Sequence, residues 1–226
     1  MPWRATREQA GEYAADRAGK AFNAALLMVV QPDMHATGPE ERYLDEGFAR
    51  AFDDLPRGTL RELRPEYFAY LDGLVEELVS RGIVPVYQPV FHGYGWKGLS
   101  VVGRVASGED VARFQRYLIA RYGAKPAIWL VGGDGDGLTP NISAAGETCH
   151  ALDAYGHPRG IHYQPHAEPN AHQGADWLDF QWCQTGHNGE HMPDRVAAMF
   201  RETPTKAVAN GEPTYENMGA TGRGAG

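Results

Sequence analysis

The chain has 226 residues, 42% of them hydrophobic and 22% charged, the proportions of an ordinary globular domain, which excludes wholesale disorder and fibrous architectures. A formal net charge of −8 without any Lys/Arg run excludes nucleic acid as a partner, because phosphate backbones are held by clustered cations. Two well-separated cysteines, Cys149 and Cys183, exclude a disulfide-stapled scaffold and a cysteine-rich zinc site, and read as buried thiols.

The start, MPWRATREQAGEYAAD, has no apolar segment after its basic residues and reads as no secretory leader. No later stretch is long enough to span a bilayer, so the chain reads as soluble and without a membrane partner, its compartment unassigned. Thr6 and Gln9 have capping-box spacing, with Ala10, Tyr13, Ala14 and Ala18 on one helical face, and the apolar run 22–30 follows as a strand. Residues 31–64 are polar and irregular, long enough to be a functional loop. Pro65 opens a helix whose stripe from Tyr67 to Val79 ends at Gly82, and 83–91 reads as a buried strand. The alternation continues with a helix over 107–122 and a strand over 127–131, then strands at 160–163 and 177–184, a helix at 193–202 and a strand at 206–209.

About six strands joined largely by helices predict right-handed βαβ units and a parallel α/β sheet. No Gly-x-Gly-x-x-Gly follows an early strand, and VGGDGDG at 131–137 lacks the Walker lysine. The usual nucleotide-binding reasons for an open doubly wound sheet are therefore absent, and a (β/α)8 TIM-barrel type is expected. Polar and aromatic residues stand just after successive strands, where a barrel would gather them on one rim: His92 and Trp96, Asp134, His166, Gln184 and His187, Glu212 and Tyr215. Two of these are acids at strand ends, Asp134 closing AIWLVGGD and Glu212 closing KAVANGE. Such a pair is what glycosidic cleavage needs, one carboxyl protonating the leaving oxygen and the other acting as nucleophile or base. Taken singly, Asp134 could as well cap a turn and Glu212 pair with a cation.

AIWLVGGD at 127–134, HPRG at 157–160, WLDFQWCQTGH at 177–187 and KAVANGEPTYE at 206–216 together resemble motifs of the apiosidase-like glycoside hydrolases, family 140 and its relatives. The resemblance runs from Thr6 to about Glu216 and implies a glycosidase, with Asp134 as general acid and Glu212 as nucleophile. It also implies a carbohydrate substrate, a terminal or branching sugar such as apiose. Members of that family begin with a further strand and continue into a final helix and strand. Relative to them the barrel is expected to be incomplete, with first and last strands missing, over 1–216, and with 217–226 as a flexible tail or truncation end. Exposed sheet edges would then favour self-association.

Around the acids, His92, Tyr94 and Trp96 offer aromatic faces and an imidazole for sugar, though such a loop can equally pack on itself. Gln184 and His187, at the end of an apolar strand, are better placed as hydroxyl partners; His166 and Tyr215 are further candidates, and Glu216 would position Tyr215. Asp136 competes with Asp134 for the acid role, and Trp129 is expected beside Asp134, helping it to hold a proton. His162/His166 and His187/His191 have four-residue spacing, but on strand and loop this does not converge ligands, so no metal or cofactor is expected. A non-catalytic carbohydrate-binding remnant and a metal-dependent hydrolase stand as the alternatives.

Overall fold

The computed structural model describes residues 2–35, 50–93, 99–165, 171–186, 192 and 194–213. Helix α1 spans Arg7–Gly19, and its capping box is formed: Gln9 N–H donates to Thr6 Oγ1 at 3.1 Å while Thr6 N–H donates to Gln9 Oε1 at 2.9 Å. Such a cap stabilises a helix by about 1 kcal/mol. The expected apolar face of this helix is slight, because only Ala14 is buried and Tyr13 is half exposed. Strand β1 is Ala24–Met28 and starts later than the apolar run, since the ring of Phe22 lies out in solvent with Arg17 over it.

Helix α2, Pro65–Val79, buries the stripe of Tyr67, Phe68, Leu71, Leu74, Val75 and Leu78 that its 3.6-residue period prescribes. After Gly82, whose φ of 76° favours glycine, comes β2, Val84–Gln88. A single helical turn, α3 (Val102–Val105), leads into α4 (Gly108–Tyr122), capped by Ser107, and then β3 (Ile128–Leu130). Helix α5, Pro140–Leu152, has no counterpart among the elements expected from periodicity. Its sequence carries Gly146 and a stripe of small residues where a helical period would show large ones. The reason is tertiary, because the indole of Trp177 lies where a Gly146 side chain would be. Strand β4 (Arg159–His162), strand β5 (Phe180–Gln184), helix α6 (Asp194–Phe200) and strand β6 (Ala207–Glu212) complete the described elements.

All six strands lie in one parallel sheet in the order β1-β2-β3-β4-β5-β6. Sequential parallel order with helices between strands is the (β/α)8-barrel pattern, and among the described residues β6 makes no pairing with β1. The sheet is thus an open part of such a barrel, as expected. Between sheet and helices sits an aromatic core, with Tyr87 stacked on Tyr122 and on Trp129 at centroid distances of 5.1 Å, and Phe52 edge-on to Phe114 at 5.0 Å. Phe52 comes from the 31–64 segment, whose described parts are therefore built into the core. Cys149 and Cys183 are buried free thiols, and burial pushes both up from their ordinary value. Among the described residues no helix is long and apolar enough to cross a membrane.

Two buried aspartates hold backbone corners. Asp54 accepts from the Thr59 hydroxyl and from the N–H groups of Arg61 and Glu62; Asp153 accepts from Trp129 Nε1, from His157 and from Tyr155 N–H. Burial raises each carboxyl, but these hydrogen bonds outweigh it and hold both below the ordinary 3.8. A lowered folded-state value means stability that is present above the unfolded value and is lost as pH falls through the folded one. Melting temperatures recorded from pH 7 down to pH 2 should fall below about pH 4, and Asp54→Asn should start lower at neutral pH and fall less steeply. Parallel curves for the variant and the parent would show that Asp54 contributes nothing to acid unfolding.

Candidate active site

Strand ends on one side of the sheet supply the polar cluster. The β3 ladder runs on past Leu130: Val131 N–H donates to Gly160 O, His162 N–H to Gly132 O and Gln164 N–H to Gly135 O. Asp134 stands in the middle of this extension with φ at 51°, the left-handed region that aspartate tolerates better than most residues but which still stores strain. Glycines on either side let neighbours approach. The Gln88 amide occupies the space over Gly133, and a β-carbon on Gly93 would collide with Asp134 Oδ2. Asp134 is half-buried, whereas Asp136 is exposed and accepts from Leu138 N–H in its own turn. Of the two competing acids, only Asp134 joins the cluster.

Glu212 arrives by a different device. Cys183 pairs with Asn210 but Gln184 pairs with Glu212, so Gly211 is an extra residue in a β-bulge. Register partners in a parallel sheet share a face, so the bulge sets the Glu212 side chain beside that of Gln184. The indole of Trp182 fills the space over Gly211 and leaves room for no side chain there.

His162, on the neighbouring strand, lies with Nε2 at 2.8 Å from Glu212 Oε2. Gln184 Nε2 is 2.5 Å from Asp134 Oδ1 and 3.1 Å from His162 Nε2. One oxygen of each acid and a ring nitrogen of His162 all fall within 4.8 Å of one another. Three such groups could ligate a cation. As they stand, His162 meets Glu212 directly and Asp134 meets the Gln184 amide.

The other sequence candidates divide. Gln184 is in the cluster, as the tie to Asp134. His92 is 1% exposed and lies behind the 132–135 turn: Gly133 N–H donates to Nδ1 at 3.2 Å, and Nε2–H therefore donates to Asn141 Oδ1 at 3.1 Å. Asn141 in turn donates to Gly103 O and Ala106 O. Burial holds the imidazole below its usual range, against the Asn141 hydrogen bond. Both ring nitrogens of His92 are thus engaged within the protein. Trp129 is not beside Asp134; it turns to the helical layer, stacked on Tyr87 and bonded to Asp153. Trp96, His166, His187 and Tyr215 lie outside the described residues, as do Tyr94, His191 and Glu216. The sequence presents His162 only through its four-residue spacing from His166, a metal-ligand pattern. The signal that finds it is alternation, because Ile161 and Tyr163 are core residues, so the polar residue between them faces the barrel interior.

The family model of the apiosidase-like catalytic domain matches residues 1–224. No curated protein matches the sequence. Among solved structures, a glycoside hydrolase family 5 protein from Bacteroides vulgatus ATCC 8482 superposes with a TM-score of 0.70 at 22% identity, covering 96% of this chain and 48% of that one. A second, described as a glycoside hydrolase, gives a TM-score of 0.72 at 19% identity, with 96% and 51% covered. An endo-1,4-beta-mannanase from Rhizomucor miehei gives 0.54 at 10% identity, with 81% and 64% covered. At these identities the likeness is one of fold, and the chain spans about half the length of the first two structures. A sequential parallel half-barrel with two acids and a histidine gathered at its strand ends, matched over nearly its whole length by one family model, belongs to the apiosidase-like catalytic domain family.

Proposed function

We propose that the chain is the site-bearing part of a glycoside hydrolase that releases a terminal or branching sugar, apiose by the family's description, from a polysaccharide or glycoside. The observation that carries this reading is the approach of Asp134 and Glu212, whose nearest oxygens lie within 4.8 Å across the strand ends. A separation of about 5 to 5.5 Å between carboxyl groups suits double displacement, whereas inversion needs about 6.5 to 9.5 Å to admit a water. In this reading Glu212 attacks the anomeric carbon while Asp134 gives its proton to the departing glycosidic oxygen. A covalent glycosyl ester on Glu212 results. Water then breaks that ester, Asp134 recovering the proton and Glu212 leaving as carboxylate. Trp96, His166, His187 and Tyr215, which follow β2, β4, β5 and β6 in sequence, would supply the sugar contacts.

Glu212→Gln keeps shape and removes the attacking charge, so turnover should collapse on every substrate while binding survives. Asp134→Asn should lose activity on natural glycosides yet retain much of it on aryl glycosides whose leaving groups depart unaided. Equal, mild losses in both variants across all leaving groups would make the carboxylates structural. Binding without turnover in the parent chain would leave a carbohydrate-binding remnant, and loss of turnover with chelator would favour a metal-dependent hydrolase.

Gly93 supports the acid by leaving its carboxylate room. Gly93→Ala should behave like a milder Asp134→Asn, with a loss on poor leaving groups of about 10- to 100-fold, because displacement of a reacting group by about 1 Å costs on that order. A uniform loss across leaving groups would separate Gly93 from the acid.

The same reading places self-association at the open β1 edge, where Leu26, Phe22 and Tyr13 are 39%, 51% and 50% exposed. Sedimentation should give a concentration-dependent mass above that of one chain, reduced by Leu26→Lys. A monomer at all concentrations would refute it.

A further inference from the structure

We propose that His162 is the positioning residue for Glu212: it donates from Nε2–H to Glu212 Oε2 and, with the Gln184 amide beside it, fixes the spacing of the two carboxylates. The inference rests on the reading of Asp134 and Glu212 as the reacting pair. His162 sits on β4 opposite Trp182 of β5, its ring edge-on to the indole at a centroid distance of 6.3 Å. That packing, with a side chain only 1% exposed, leaves the imidazole little freedom to turn.

Hydrogen-bond inventory fixes the direction of the contact. Ring atom Nδ1 is buried and has no partner among the described residues. A proton placed there would be an orphaned donor, whereas a bare lone pair is tolerated more easily. The proton therefore belongs on Nε2, which meets the carboxylate oxygen at 2.8 Å. The Gln184 amide is oriented by Asp134, because its nitrogen faces Oδ1, a carboxyl oxygen that accepts its N–H and leaves the proton of the acid to Oδ2. Its contact with His162 at 3.1 Å is then donor beside donor, a spacer and not a second acceptor competing for the ring proton.

Asp134, Gln184, His162 and Glu212 thus form one chain of contacts across four strand ends, with the amide touching the acid and the imidazole touching the nucleophile. The bulge at Gly211 brings Glu212 to the end of this chain of contacts, and the donor from His162 orients the carboxylate once there. A hydrogen bond to the carboxylate also favours its anionic form, the form an attacking group requires.

The contact can be read without turnover. In the full chain with 15N-labelled histidine, the His162 resonances are identified by their loss in His162→Gln. The expected spectrum has the proton on Nε2, with a shift that moves when Glu212→Gln removes the charge. A proton on Nδ1, or an Nε2 resonance indifferent to Glu212→Gln, overturns the proposal. Kinetics on an aryl glycoside series give the second readout. His162→Ala should lower kcat by about 100-fold with the leaving-group dependence of the parent unchanged. His162→Gln, which restores an N–H donor, should recover most of that loss. Equal loss in both variants, or a loss that grows as the leaving group worsens, also overturns it. A parent chain without turnover would refute the glycosidase reading alone, since the resonance test still decides whether His162 holds Glu212.

Discussion

Where β6 meets β5 the register slips by one residue at Gly211, and the indole of Trp182 fills the space that a side chain there would need. This bulge is the constraint on which the cluster depends. Side chains on a strand alternate between faces, so the position of an acid relative to a neighbouring strand is set by register and not by sequence distance. With the slip, Glu212 stands opposite Gln184 and within reach of His162; Asn210, two residues earlier, pairs with Cys183 and exchanges hydrogen bonds with Thr185. The glycine belongs to the device, because any β-carbon at 211 would strike the ring.

The opposite half of the cluster relies on strain and tight backbone contact. Asp134 holds a left-handed backbone, and the turn around it is pinned from behind by His92, which receives Gly133 N–H on its ring and gives its own backbone N–H to Gly133 O. Asn141 at the start of α5 clamps His92 and two carbonyls of the α3 turn together. Strain of this kind persists only where surrounding structure over-determines it. Every group in that support is buried and bonded, so the strained residue is the one turned toward the cluster. One acid is therefore placed by a bulge and the other by a braced turn, and the Gln184 amide and the His162 ring span the distance between them.

Outside the cluster the helices are tied to one another by charge. Arg121 grips Asp72 with two nitrogens at 2.8 and 2.5 Å, and Lys125 meets Glu76, linking α4 and its following loop to α2. Exposed pairs like these stabilise by at most about 1 kcal/mol each, so the layer is held chiefly by its buried aromatic rings. The sheet itself is open at β1 and β6 among the described residues, and the apolar side chains at the β1 edge remain in water.

Sequence alone determined the alternation of strands and helices, the parallel barrel class and the two strand-end acids, because each depends on periodicity or on a residue's distance from its own strand. The capping box at Thr6 and the buried stripe of α2 are local in the same sense and appear where spacing put them. What the sequence could not decide depended on partners distant along the chain. Helix α5 is hidden by Gly146, whose reason is Trp177; Trp129 faces away from Asp134 because its stacking partner, Tyr87, lies on β2 and its indole N–H is taken by Asp153. His92 is turned inward by Asn141, 49 residues later. His162 reaches Glu212 only because three strands align and one of them bulges, a register that no spacing within a single segment encodes. Residue types and periods fix which chemistry is available, and tertiary register decides which of those residues meet.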